Sequence, residues 1–124
     1  GDMIHDVIKF IRPTVRTIGS GWVASAGALI FVAAKKENRF CLPNTRFLIH
    51  QPSGGIGGTS SDMMIQAEQV RLMRDRLNQI FAEATGQPIE RIETDTQRDF
   101  WLNTQEALDY GLLGRVIRSA DELK

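Results

Sequence analysis

The chain is poor in the residues that would staple or charge it, and each shortage closes off a class of function. One of its 124 residues is cysteine, Cys41, which excludes an internal disulfide framework and a multi-cysteine zinc site and suits a reducing compartment. Only His5 and His50 supply imidazole, too few to build a structural zinc site without thiolates. An excess of one charge is missing too. Fifteen basic residues meet fifteen acidic ones for a formal net charge of zero, so no bulk field draws in nucleic acid or an anionic membrane. The longest uninterrupted apolar run, Ala26 to Ala34, falls far short of the ~20 residues that a membrane span needs. The amino terminus also lacks the charged-then-apolar order of a secretory signal. These absences describe a soluble, intracellular chain with neither a nucleic-acid nor a membrane partner.

What is present suits one packed unit. Apolar residues make up 42% and charged ones 24%, a globular rather than a disordered balance. The length fits one domain of ~100–150 residues, expected over residues 1–124. Ile4, Val7, Ile8 and Ile11 recur at helical spacing before Pro13, which stops a helix. Thr14 to Ile18 reads as a strand and Gly19-Ser20-Gly21 as a turn, with the alanine-rich stretch Val23 to Ala34 following as a buried helix. Arg39 to Leu42 and Arg46 to His50 are strand candidates joined by Pro43 and Asn44. Gly54, Gly55, Gly57 and Gly58 make an extended arm. Beyond it, Asp62 to Thr85 is helical, capped by Ser60 or Ser61 and stopped by Gly86 and Pro88. At roughly 36 Å this helix is about as long as such a domain is wide, and it is expected to dock onto another copy. A further helical turn starts at Pro88, Asn103 with Glu106 resembles a capping box, Gly111 ends that helix, and Arg115 to Ile117 offers a last strand. Helices interleaved with strands make an α/β fold.

Ser25 is the first candidate for chemistry. It stands where a glycine turn gives way to an apolar helix, so the amides after it lack helical acceptors and favour negative charge. From position alone it reads equally as a helix-capping serine, and Val23 takes the place of the first glycine in a G-x-S-x-G elbow. His50 closes the apolar run Phe47-Leu48-Ile49, a place for a general base or for a merely hydrogen-bonded histidine, whereas His5 reads as surface. Asp6, Asp62, Asp95, Asp99 and Asp109 are all available to orient an imidazole, and spacing does not choose among them. The glycine arm lacks the ending of a phosphate loop; a backbone open to pairing with another extended chain is its more physical use.

Gly21-Trp22-Val23-Ala24-Ser25-Ala26-Gly27-Ala28, Arg39-Phe40-Cys41-Leu42-Pro43-Asn44 and Ile49-His50-Gln51-Pro52 followed by Gly54-Gly55 together resemble the proteolytic subunits of the ATP-dependent Clp proteases. So do Thr85-Gly86-Gln87 and Glu93 to Phe100, and the resemblance runs in order along essentially the whole chain. It implies a crotonase-like α/β fold of repeated ββα units with a protruding handle, here about residues 53–86. It also implies a serine endopeptidase with Ser25 as nucleophile, His50 as general base and Asp99 as the orienting carboxylate. The Ala26 amide would serve the oxyanion hole, Gly54 and Gly55 would pair with substrate backbone, and no metal or organic cofactor would be needed. Phe10, Ile18, Phe40 and Leu42 fall on the family's apolar groove for a hexameric ATPase that delivers unfolded polypeptide, and the family stacks two heptameric rings through the handle. Such a protein would work in the bacterial cytoplasm, or in a mitochondrial matrix or plastid. Two departures stand out: Gln97 replaces a residue that is usually acidic and helps join the rings, and the sequence starts after the family's amino-terminal portion with its Ser-Pro-Gly-Gly segment. The rival readings are an inactive structural subunit of such a barrel and an acyl-CoA lyase or isomerase of the wider crotonase superfamily.

Overall fold

In a computed structural model, residues 2–50 and 60–123 are described, and they form two small sheets with helices packed around them. The first sheet is parallel in the order β1 (Thr17–Gly19), β3 (Arg39–Cys41), β6 (Arg115–Val116). In the second, β2 (Trp22–Ala24) runs parallel to β4 (Arg46–Ile49), and β4 pairs antiparallel with β5 (Phe100–Leu102). The chain steps twice from the first sheet to the second, β1 to β2 and β3 to β4. Each step is fixed at its corner: Leu42 N–H and the Thr45 hydroxyl donate to Gly19 O, and Arg46 N–H donates to Gly21 O at 2.8 Å. That repeat sets successive ββ units side by side in parallel.

Around the sheets lie α1 (Asp2–Phe10), α2 (Ala26–Phe31), α3 (Ser60–Thr85), α4 (Ile89–Asp95) and α5 (Thr104–Tyr110). Phe31, Phe47, Ile49, Phe81, Ile92, Leu102 and Leu113 are buried in one continuous core. A buried cation ties its far side together. The Arg39 guanidinium donates to Ala34 O at 2.8 Å, Ala84 O at 2.9 Å, Leu112 O at 3.2 Å and Gly111 O at 3.4 Å, satisfying carbonyls that follow α2 and close α3 and α5. The α5 capping box forms as expected, with Asn103 Oδ1 accepting from Glu106 N–H and Glu106 Oε1 from Asn103 N–H.

Two readings need correction, and one strand goes unannounced in the sequence. The alanine-rich stretch is not one helix: Trp22–Ala24 is a strand because it finds β4 as a partner, and α2 starts only at Ala26. Tertiary pairing outweighs alanine's helical preference. The strand β5 has no periodic signal in three residues and exists through its ladder with β4. His5 is not at the surface. At 3% exposed, it faces the body of the molecule among Val32, Arg76 and Ile80, while Met3, Ile4 and Val7 of the same helix point outward.

The long helix has two halves. From Leu77 onward it packs, burying Asn78, Phe81 and Thr85, whereas Asp62 to Arg76 project with nearly every side chain exposed, including Met63, Met64, Ile65 and Leu72. Its 26 residues make it roughly 39 Å long. On the outward face of the second sheet, Trp22 and Trp101 meet edge to face with centroids 5.5 Å apart.

Candidate active site

The sharpest local feature is the backbone of Ser25. Its φ of 51° and ψ of −121° make it the one non-glycine residue of positive φ among the described residues. Such a conformation is strained, and it sits between β2 and α2, on a strand–turn–helix whose small flanking residues, Ala24 and Ala26, leave the turn uncrowded. The elbow forms although Val23 stands in place of the expected glycine. Its product is a side chain pushed out of both elements, and Ser25 is exposed.

That hydroxyl does not cap the helix. Ser25 makes no side-chain cap bond, and its Oγ lies 2.6 Å from His50 Nε2, so the capping alternative is set aside by geometry. The imidazole is carried one residue past the end of β4, where the parallel pairing of β2 with β4 delivers Ser25 and His50 to the same end of the sheet. With Nδ1 protonated, Nε2 is an acceptor for the serine proton. The first amides of α2, beginning with Ala26, have no acceptor inside the helix and open on the same turn.

Beside the pair lies an apolar pocket of about 200 Å³, lined by Leu29, Leu48, Ile49, Met73, Leu77 and Phe81 together with Ser25 and His50. The handle helix thus supplies three of its walls. No sequence signal separates these residues from ordinary core.

The aspartates sort themselves by register. The β4–β5 ladder pairs Ile49 with Phe100, and continuing it by one residue sets Asp99 opposite His50. Asp99 is exposed and makes no hydrogen bond or ion pair among the described residues, so backbone register, not side-chain contact, is what relates it to the histidine. Asp95 is engaged elsewhere: it accepts from the Tyr110 hydroxyl at 2.9 Å and lies 3.5 Å from Arg91 Nε. Burial and the adjacent Asp95 carboxylate push the Tyr110 hydroxyl well above its usual range, which keeps it a donor. Asp6 is paired with Arg76, Asp109 accepts from Gln105, and Asp62 stands on the projecting half of α3.

Gly54 and Gly55 lie outside the described residues. Of the four residues expected to form a groove for a partner, Phe10 is 88%, Ile18 49% and Leu42 37% exposed. Phe40 is 8% exposed and lines a surface pocket with Arg16, Arg115, Glu122 and Leu123, on the face of β3 opposite the core residue Cys41. No three His, Cys, Asp or Glu side chains among the described residues gather into a possible metal site.

Fold and site together define an α/β protein that holds a serine against a histidine at a strained strand–helix turn. A family profile described as Clp protease matches residues 1–120, and the chain belongs to that family. It is 91% identical over 124 residues to the ATP-dependent Clp protease proteolytic subunit of Paracoccus denitrificans, covering all of this chain and 62% of that protein. It is 62% identical over 123 residues to proteolytic subunit 3 of Rhizobium meliloti, covering 99% of this chain and 63% of that one. Among solved structures, ClpP1 from Listeria monocytogenes superposes with a TM-score of 0.86 at 54% identity, and a mutant of it with 0.91, each over 99% of this chain and 68% of the other. The expected Clp protease fold is therefore the observed one. The chain spans about three fifths of the length of the curated relatives it matches.

Proposed function

We propose that this chain carries the nucleophile and base of a serine endopeptidase that cleaves unfolded polypeptides. The observation that carries the reading is the 2.6 Å contact between Ser25 Oγ and His50 Nε2 at the strained turn. Ser25 attacks the scissile carbonyl as His50 takes its proton; the oxyanion forms against the Ala26 amide; His50 then protonates the leaving amine, and water activated by the same imidazole hydrolyses the acyl-enzyme. Asp99 holds the imidazole tautomer. The pocket walled by Leu29, Met73 and Phe81 favours an apolar side chain on the residue before the cleaved bond.

The rest of the reading rests on the relatives, all named as subunits of ATP-dependent proteases. Residues 1–124 act as one domain within a longer subunit of the bacterial cytoplasm. Gly54 and Gly55 pair with substrate backbone, and the projecting half of α3 stacks two heptameric rings. A hexameric Clp-type ATPase docks on the apolar positions Phe10, Ile18, Phe40 and Leu42. The inactive-subunit reading fails if the serine reacts. In the full native chain, a fluorophosphonate should label the protein and Ser25→Ala should abolish both labelling and small-peptide turnover, a loss on the order of 10⁴-fold or more. Wild-type turnover by Ser25→Ala would overturn the proposal.

A further inference from the structure

Asp99 sits in a short connection, residues 96–99, between the end of α4 and the start of β5; Thr96 is buried, but Gln97, Arg98 and Asp99 are exposed. Loops of this kind wander, and an orienting carboxylate that wanders orients nothing. Both ends of the connection meet the same side chain. At one end the Tyr110 hydroxyl donates to Asp95 Oδ2 at 2.9 Å; at the other the Tyr110 ring packs edge-on against Phe100, centroids 5.2 Å apart. Tyr110 is itself immobilised. It is 3% exposed, the Arg91 guanidinium lies 4.9 Å from its ring centroid, and its carbonyl accepts from Gln87 Nε2, whose side-chain oxygen accepts from Arg91 in turn. Phe100 is the residue after Asp99 and pairs with Ile49, the residue before His50.

We infer that Tyr110 is a positioning residue, which with Asp95 clamps the two ends of the connection bearing Asp99 and so fixes that carboxylate opposite His50. The inference rests on the peptidase reading above. It assigns work to a tyrosine that touches neither substrate nor the reacting atoms, and to an aspartate that sequence spacing offered as a rival for the orienting role.

The test uses the full native chain in its assembled state and a small fluorogenic peptide. Tyr110→Phe keeps the ring against Phe100 and removes only the hydroxyl; kcat should fall about tenfold with KM unchanged. The same substitution is then placed in an Asp99→Ala background, with the rate of inactivation by a fluorophosphonate as readout. A residue acting through Asp99 has nothing left to act on, so the second loss should shrink to about onefold. A tenfold loss in both backgrounds would mean a general structural effect and would overturn the inference, as would unchanged kcat in Tyr110→Phe. Should that variant fail to assemble, Asp95→Ala takes its place with the same tenfold loss expected, and Asp95→Asn, which keeps an acceptor for the hydroxyl, should restore the rate. A fully active Asp95→Ala would overturn it. If Asp99→Ala by itself ran at the parental rate, the triad reading would fall, and the clamp with it.

Discussion

Ser25 and Arg39 show how far apart a residue's legibility and its importance can be. Ser25 was visible in the sequence as a serine after a glycine turn, but spacing could not tell a nucleophile from a helix cap. A φ of 51° and an Oγ turned to His50 set the cap reading aside, and both follow from β2 pairing with β4. Asp99 was separable from four other aspartates only through the resemblance, because the ladder that sets it opposite His50 joins segments fifty residues apart in sequence. Arg39 gave no signal at all. Four carbonyls depend on its guanidinium, and burial pushes that group down to about 10 without discharging it at neutral pH. Arg39→Met should cost about 3–5 kcal/mol, because buried acceptors would be left without donors, and denaturant titration would read it as a lower midpoint. Cys41 makes the opposite case. Burial pushes its thiol up to about 11, outweighing the Thr45 hydrogen bond that pulls it down, so the thiolate population at neutral pH is very small. Labelling of the folded protein with iodoacetamide should run about 100-fold slower than for the unfolded chain, converging only as pH climbs past the raised value.

At the level of elements, those with local grammar were legible and those made by partners were not. The α5 helix announces itself by its capping box and closing glycine, and α3 by its periodicity and its Gly86 stop. The strands β2 and β5 are three residues each, below the length at which alternation carries information, and only their neighbours on β4 call them into being. The two helix-ending glycines are alike in sequence and unlike in cost. Both have positive φ, but an added Cβ at Gly86 would meet open space, while at Gly111 it would come within 2.2 Å of Thr85 O. Gly86→Ala should therefore cost about 1 kcal/mol and Gly111→Ala more than ~3 kcal/mol, a gap that paired urea titrations would resolve. On the projecting half of α3, Ile65→Asp should leave the fold's stability within ~0.5 kcal/mol, since that side chain is 62% exposed, while weakening the proposed stacking of rings. Sedimentation velocity across protein concentration would show it.

Seen as a whole molecule, the chain carries several large apolar side chains on its surface. Met3, Phe10, Trp22 and Met64 are each about three-quarters exposed or more, on three separate faces. The relatives are longer by about two fifths of their length, and the resemblance assigns to their amino-terminal portion the second donor of the oxyanion hole. Residues 1–124 alone should then turn over a small peptide roughly 10²–10³-fold more slowly than the same residues joined to a family-type amino-terminal segment, compared at equal active-site concentration. Equal rates would mean that the second donor comes from elsewhere. One feature of the second sheet makes such comparisons easier to read. The chain has two tryptophans, and both belong to the edge-to-face pair that spans β2 and β5, three residues before Ser25 and two after Asp99. All of its indole emission therefore originates on one sheet, the one whose strands β2 and β4 lead to Ser25 and His50. Two coupled indoles at 5.5 Å also give an exciton signature in circular dichroism that vanishes when either strand lets go. Without any label, the protein reports optically on whether the two strands flanking His50 are in register.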